Sequence, residues 1–194
     1  MKKVFITGIT GFVGRHLSQI LKDTNYNISG TYYPENTVLD YRQIFPKNKV
    51  YFCDITKKKD ILEILAAETP DILVHLAGIA SVKYTMNNIS EAIDINLKGF
   101  TNILEALRDN NLLNTKIILI SSGDVYKPLE SIETFITETS DVLPLTPYAA
   151  AKYACENILN FYCNFYNARA IIVRPFNHSG AGQSPEFVIS SFAK

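Results

Sequence analysis

Apolar positions along this chain follow two alternating rhythms. Val4-Phe5-Ile6, Ile72-Leu73-Val74 and Ile117-Ile118-Leu119-Ile120 are continuously apolar, the pattern of strands buried on both faces of a parallel sheet. Strands are predicted over 3–7, 27–32, 49–53, 72–76, 116–121 and 170–174. Between them the apolar residues recur at helical spacing. Val13, Leu17, Ile20 and Leu21 fall on one face at i, i+4, i+7 and i+8, predicting a first amphipathic helix. Longer helices are predicted over 91–108 and 148–166, and a last one over 185–194. Strand–helix alternation throughout implies βαβ units and an α/β fold, a doubly wound parallel sheet. The stretch 127–147, rich in Thr, Ser, Glu and Pro, predicts a long surface loop beside the site.

Composition narrows the function. The chain has 194 residues, a length that fits one domain over 1–194. Its formal net charge of zero argues against a nucleic-acid partner, which would call for a basic excess. No apolar run approaches the ~20 residues that cross a membrane. Met1-Lys2-Lys3 resembles the start of a signal peptide, but the apolar stretch after it is short and a glycine motif interrupts it. The cysteines are three, Cys53, Cys155 and Cys163. An odd count without C-x-x-C predicts a reduced, cytoplasmic protein. His16, His75 and His178 lie far apart, and no metal-ligand spacing is seen, so no metal is expected.

The first chemistry-bearing motif is Gly8-Ile9-Thr10-Gly11-Phe12-Val13-Gly14, directly after the first predicted strand and opening the first helix. Gly8 permits a tight turn, Gly11 lets the backbone approach a pyrophosphate, and Gly14 lets helix pack on strand. The helix N-terminus offers amides and partial positive charge to a diphosphate. Gly8, Gly11, Phe12, Val13 and Gly14 therefore form the expected phosphate-binding set, in a sheet of the Rossmann type. A carboxylate ending the second strand would favour NAD and an arginine NADP. Thr31-Tyr32-Tyr33-Pro34 has neither, and Glu35 comes slightly late, leaving NADH and NADPH open.

The second motif is Tyr148-Ala149-Ala150-Ala151-Lys152. Thr146-Pro147 supplies an N-cap and a first-turn proline, the alanines favour helix, and i,i+4 spacing puts Tyr148 and Lys152 on one face. A carbonyl reductase needs such a proton donor; a neighbouring Lys⁺ and a cationic nicotinamide would lower the phenol from its usual ~10. Ser121-Ser122-Gly123-Asp124-Val125-Tyr126 ends the fifth strand, where ligands of open α/β sheets gather.

The order of these motifs, with the G-x-x-G-x-x-G spacing, resembles the extended short-chain dehydrogenases. The resemblance implies Ser122, Tyr148 and Lys152 as catalytic residues, the last two also touching the NAD(P)H cofactor. Asp54-Ile55 matches the family's adenine-contacting aspartate, the alternative being a helix-capping region. Leu76-Ala77-Gly78 matches its strand-four segment, whose small residues let a cofactor pass. His75 reads as a packed strand residue, and Asn96, before Gly99, as structural support.

Arg174-Pro175-Phe176-Asn177-His178-Ser179-Gly180-Ala181-Gly182-Gln183-Ser184-Pro185-Glu186-Phe187-Val188 is similar to the corresponding string of GDP-4-keto-6-deoxy-D-mannose reductases, as is Ser-Ser-Gly-Asp-Val-Tyr. This implies a GDP-sugar substrate, with Asn177 at the diphosphate or ribose. Phe187 and Val188 would line the sugar-nucleotide pocket, or else form the apolar face of a helix. Ser81 and Val82 would approach the hexose, with Ser122 and Asp124 at the reacting end. The implied reaction is hydride transfer to C4 of the keto sugar, giving GDP-D-rhamnose. Tyr126 is followed by Lys127, where the family usually has Gly. Relatives continue about half as far again, so the C-terminal substrate subdomain is expected to be largely absent, only its start lying in 174–194. Pairing of two copies through 91–108 and 148–166 is a further implication. The alternatives are a GDP-mannose 4,6-dehydratase, another sugar-nucleotide epimerase, or a non-catalytic dinucleotide-binding module.

Overall fold

A computed structural model describes residues 1–34, 38–129 and 135–193. Glu35, Lys194 and part of the 127–147 loop lie outside them. Six strands, β1 (Lys2–Thr7), β2 (Tyr26–Tyr32), β3 (Lys49–Phe52), β4 (Ile72–His75), β5 (Lys116–Ile120) and β6 (Arg169–Val173), form one sheet in the order β3-β2-β1-β4-β5-β6. Every pairing is parallel. The order reverses between β1 and β4, which pair with Val4 opposite Ile72 and Thr7 opposite His75.

Parallel strands need covered crossovers, and the helices provide them. They are α1 (Phe12–Leu21), α2 (Val38–Ile44), α3 (Lys58–Glu68), α4 (Val82–Asn87), α5 (Ile89–Ala92), α6 (Gly99–Asp109), α7 (Pro147–Tyr166) and α8 (Val188–Phe192). Alternate residues of one strand enter opposite cores. Phe5 and Leu73 join Ile103, Leu107 and Leu159 on one face; Val4, Ile6 and Val74 join Ile28 and Tyr41 on the other. Each such fully buried side chain contributes roughly 1.5–3 kcal/mol. Cover thins at the β6 edge, where Ile171 is 42% and Val173 38% exposed.

Three predicted elements differ in detail. The first helix does not bury Val13 and Ile20: Gly14 and Ser18 are buried, and Ile20 is 73% exposed. Gly14 lies against the Gly8 and Ile9 carbonyls, and this close contact sets the rotation of α1. The helix expected over 91–108 is three pieces, α5, a π-helical turn at Ile93–Lys98 and α6. The turn brings Asn96 inward to bond Ile79. The last helix begins at Val188, not 185, and buries none of its residues.

Candidate active site

β1 delivers the chain into Gly8, whose φ of +69° is left-handed, a conformation that favours glycine. The Gly11 amide donates to the Gly8 carbonyl at 3.0 Å and closes the turn. A Cβ at Gly14 would lie 2.5 Å from the Ile9 carbonyl oxygen and 2.7 Å from that of Gly8, so packing excludes any side chain there. Gly11 is different: a Cβ would meet only the Gly8 oxygen, at 3.2 Å. It is the N-cap of α1, and no side chain caps the first amides. What the bare Gly11 leaves room for is therefore outside the protein, at a helix end suited to an anion.

Beyond this turn, where the strand order reverses, a cleft of about 290 Å³ opens, the position at which open α/β sheets hold ligands. Of the expected cofactor set, Gly8, Gly11, Asp54, Ile55, Leu76, Ala77 and Gly78 line it. Phe12, Val13, Gly14, Tyr148 and Lys152 do not line it: Gly14 is packed behind the turn, Val13 is 37% exposed, Phe12 stacks with His178 at 6.3 Å between ring centres, and Tyr148 and Lys152 lie on α7. Thr31, Tyr32 and Tyr33, which offer the ribose neither carboxylate nor arginine, also line the cleft, as does Cys53, which was not expected there; its place just after β3 was the available signal. Asp54 Oδ1 accepts from the Thr56 amide at 3.0 Å and hydroxyl at 2.7 Å. Burial raises its carboxyl, but these bonds and Lys57 more than offset it, holding the group below the usual range. The bare glycine turn, the uncapped helix end and the flanking carboxylate fit a dinucleotide; a larger depression of about 360 Å³ around Arg42 and Tyr51 offers no comparable cradle.

His75 is a packing residue, as expected. It is 1% exposed, its ring is 4.9 Å from that of Phe100, and burial, then the charge of Lys152, push it down to about 3. Asn96 is equally structural. Its Oδ1 accepts from the Ile79 amide at 2.7 Å and its Nδ2 donates to the Ile79 carbonyl at 3.1 Å, fixing the segment after β4.

The residues expected to react gather one strand further along the same sheet edge. Ser122 follows β5, 8% exposed, and its hydroxyl accepts from the Asp124 amide at 3.1 Å. Thr146 caps α7 by accepting from the Ala149 amide at 3.1 Å, with Pro147 in the first turn. One turn apart on α7, Lys152 Nζ lies 5.9 Å from the centre of the Tyr148 ring. Lys152 points at the sheet and donates to the Ile120 carbonyl at 2.8 Å.

The electrostatics differ from the expected lowering of Tyr148. Burial raises its phenol above the ordinary value, the Ser122 hydroxyl pulls the other way, and Asp124 adds to the rise. Burial likewise lowers Lys152. Without a ligand, Tyr148 is held protonated, the form a proton donor needs.

On the expected substrate side, Ser81 caps α4 by accepting from the Tyr84 amide at 3.2 Å, with Val82 first in that helix. Asp124 and Asn177 are exposed. Phe187 precedes α8, and Val188 is 70% exposed. The structure does not bring this pair into the cleft. His16 Nε2 meets the Ala181 carbonyl at 3.0 Å and Gly180 packs near the Phe12 ring, so the segment after β6 folds back over the start of α1. Among the described residues no group of His, Cys, Asp or Glu could hold a metal, and no helix is long and apolar enough to cross a membrane.

Comparison with known proteins agrees with this fold. The chain is 33% identical over 193 residues to a GDP-6-deoxy-D-mannose reductase of Pseudomonas aeruginosa, covering 100% of this chain and 58% of that protein. It is 27% identical to a dTDP-glucose 4,6-dehydratase of Neisseria gonorrhoeae, covering 97% of this chain and 58% of that protein. The chain thus spans well under two thirds of the curated relatives it matches. Among solved structures, RMD from Pseudomonas aeruginosa complexed with NADPH superposes with a TM-score of 0.83 at 30% identity, covering 100% of this chain and 59% of that one. Residues 4–194 match the NAD dependent epimerase/dehydratase family, and the chain belongs to that family.

Proposed function

We propose that this chain is the dinucleotide-binding part of an enzyme that reduces the C4 keto group of a GDP-4-keto-6-deoxyhexose, GDP-4-keto-6-deoxy-D-mannose becoming GDP-D-rhamnose. The observation that carries the reading is the gathering of Ser122, Tyr148 and Lys152 at one sheet edge, next to an uncapped glycine turn. Gly8, Gly11, Asp54, Ile55, Leu76, Ala77 and Gly78 would hold NADH or NADPH along the cleft. When bound, the cofactor supplies the hydride. Ser122 orients and polarises the keto oxygen with its hydroxyl. Tyr148, kept protonated by burial, gives its proton to the developing alkoxide, and Lys152 steadies the phenol from the next turn.

One position favours reduction over dehydration. Dehydration needs an acid–base pair beside the serine; Asp124 is one candidate, but Gly123, between it and Ser122, has no side chain to supply the second group. Pairing of two copies through α5–α6 and α7 belongs to the same reading; Phe161 and Phe165, 51% and 69% exposed, support it.

The test is incubation of the purified chain with GDP-4-keto-6-deoxy-D-mannose and NADH or NADPH, following cofactor absorbance, with Tyr148→Phe alongside. Oxidation that the variant loses by ~100-fold or more supports the reading, and the better cofactor settles NADH against NADPH. Cofactor binding without turnover by either protein would leave a dinucleotide-binding module and sink the reductase assignment for these residues.

A further inference from the structure

Tyr148 and Lys152 are not the last members of their stripe on α7. Glu156 follows at the next i+4 position and is 1% exposed. A carboxylate that deep is stable only with partners, and Glu156 has three donors. The Ser121 hydroxyl donates to it. Arg174, at the end of β6, grips it with both arms of the guanidinium, Nε to Oε1 at 2.9 Å and NH2 to Oε2 at 2.6 Å. Arg174 also lies over the Tyr126 ring, 4.7 Å from its centre.

These contacts interleave with the reacting groups. Along the strand end, the Ile120 carbonyl takes Lys152, the Ser121 hydroxyl takes Glu156, and Ser122 faces Tyr148. The strand end is itself tied to the β6 side, the Ser121 amide donating to the Val173 carbonyl and the Gly123 amide to that of Pro175, each at 2.8 Å. Three elements therefore meet at one buried ion pair: α7, the turn carrying Ser122, and the segment leading to Asn177. A bidentate guanidinium–carboxylate pair fixes angle as well as distance, unlike apolar packing, which tolerates sliding.

We infer that Glu156 and Arg174 are positioning residues: their buried pair sets the register of α7 against the end of β5, holding the Tyr148 phenol at the Ser122 hydroxyl. The inference rests on the reading of Ser122, Tyr148 and Lys152 as the reacting set. Buried ion pairs can often be replaced by apolar residues without loss of stability, whereas removal of one partner strands a charge. That asymmetry separates positioning from bulk structure.

The experiment compares Glu156→Gln, Arg174→Met and the double variant Glu156→Leu with Arg174→Met. Three quantities are read: melting temperature, kcat and KM for the keto sugar with NADPH, and the alkaline titration of Tyr148, taken as the tyrosinate absorbance difference from the same protein carrying Tyr148→Phe. Both single variants should melt lower. The double variant should regain the wild-type melting temperature, yet keep a kcat at least ~10-fold down, a loss of about 1.4 kcal/mol in transition-state stabilisation, with KM within about twofold. Its Tyr148 should titrate nearer the ordinary value as the phenol gains water. A double variant that recovers stability, kcat and the wild-type titration together would overturn the inference, as would one whose loss falls wholly in KM. The titration needs neither substrate nor cofactor. If wild type shows no turnover, the reductase reading fails, while an altered titration still supports the positioning role and an unaltered one still refutes it.

Discussion

The Thr7 hydroxyl and His75 Nδ1 meet at 2.8 Å inside the seam between β1 and β4. The same hydroxyl accepts from the amides of Leu76 and Ala77, each at 3.2 Å. Two amides occupy its lone pairs, so its proton goes to Nδ1, and the ring is neutral with its own proton on Nε2. Unfolded, His75 would titrate near 6.5; folded, it is pushed down to about 3. The folded state thus binds fewer protons in that window. Stability from this group is complete above 6.5 and is lost as pH falls toward 3, at up to ~1.4 kcal/mol per pH unit. Between pH 7 and 4, urea unfolding of His75→Phe should lose roughly 3 kcal/mol less than wild type. Equal losses would mean that the folded ring accepts a proton.

Lys152 is a second buried base, and its linkage has the same sign. Its folded value is depressed by burial, so below that value the buried ammonium is a standing cost, and the cost is gone once pH exceeds the unfolded value near ~10.4. Stability from Lys152 therefore rises with pH across the interval between the two. Lys152→Met keeps the length and removes the charge. Its melting temperature relative to wild type should be highest near pH 7 and should decline as pH approaches 10. A difference independent of pH would show that Lys152 loses its proton only at the ordinary value.

The glycines of the turn should separate stability from binding. Gly14→Ala drives a methyl to 2.5 Å from the Ile9 carbonyl oxygen. Overpacking against backbone costs about 1–3 kcal/mol, roughly 3–10 °C in melting temperature for a chain of this size. Gly11→Ala meets a single oxygen at 3.2 Å and faces solvent, so its melting temperature should stay within ~2 °C of wild type. Its NADPH affinity, measured calorimetrically, should nevertheless fall at least ~10-fold, because the methyl takes the space where a diphosphate approaches the helix end. Unchanged affinity in Gly11→Ala would remove the turn from the cofactor site.

The contrast between these glycines also marks what could be read in the sequence. The sheet was legible because burial on both faces writes itself as unbroken apolar runs, as at Ile117 to Ile120. The start of α7 was legible because a cap and a proline are local signals, and Thr146 and Pro147 supply both. The rotation of α1 was not, since it is fixed by Gly14 meeting the backbone of its own turn, and apolar spacing alone points to Val13 and Ile20. Nor was the π-helical turn, which depends on a bond between Asn96 and Ile79 across the fold. Glu156 and Arg174 are 18 residues apart in sequence. The spacing of Glu156 from Lys152 was visible, but a partner on another strand was not.

Asn96 offers a last separation of scaffold from chemistry. Its amide satisfies both polar groups of Ile79, and its Oδ1 would be 2.5 Å from a Cβ at Gly78, whose φ is +152°. Side chain and glycine therefore fit each other. Asn96→Ala leaves a part-buried amide and carbonyl without their partner, at about 1–3 kcal/mol for each group. Asn96→Asp keeps the acceptor for the Ile79 amide but faces the Ile79 carbonyl with a second oxygen, and should be no better. Denaturant unfolding should place both variants about 2–5 kcal/mol below wild type. Because Gly78 and Ile79 line the cleft, cofactor affinity should fall along with stability, while the Tyr148 titration stays at its wild-type position. A shifted titration would mean that the Asn96 side chain is felt at Tyr148 as well as at Ile79, and would overturn its reading as scaffold alone.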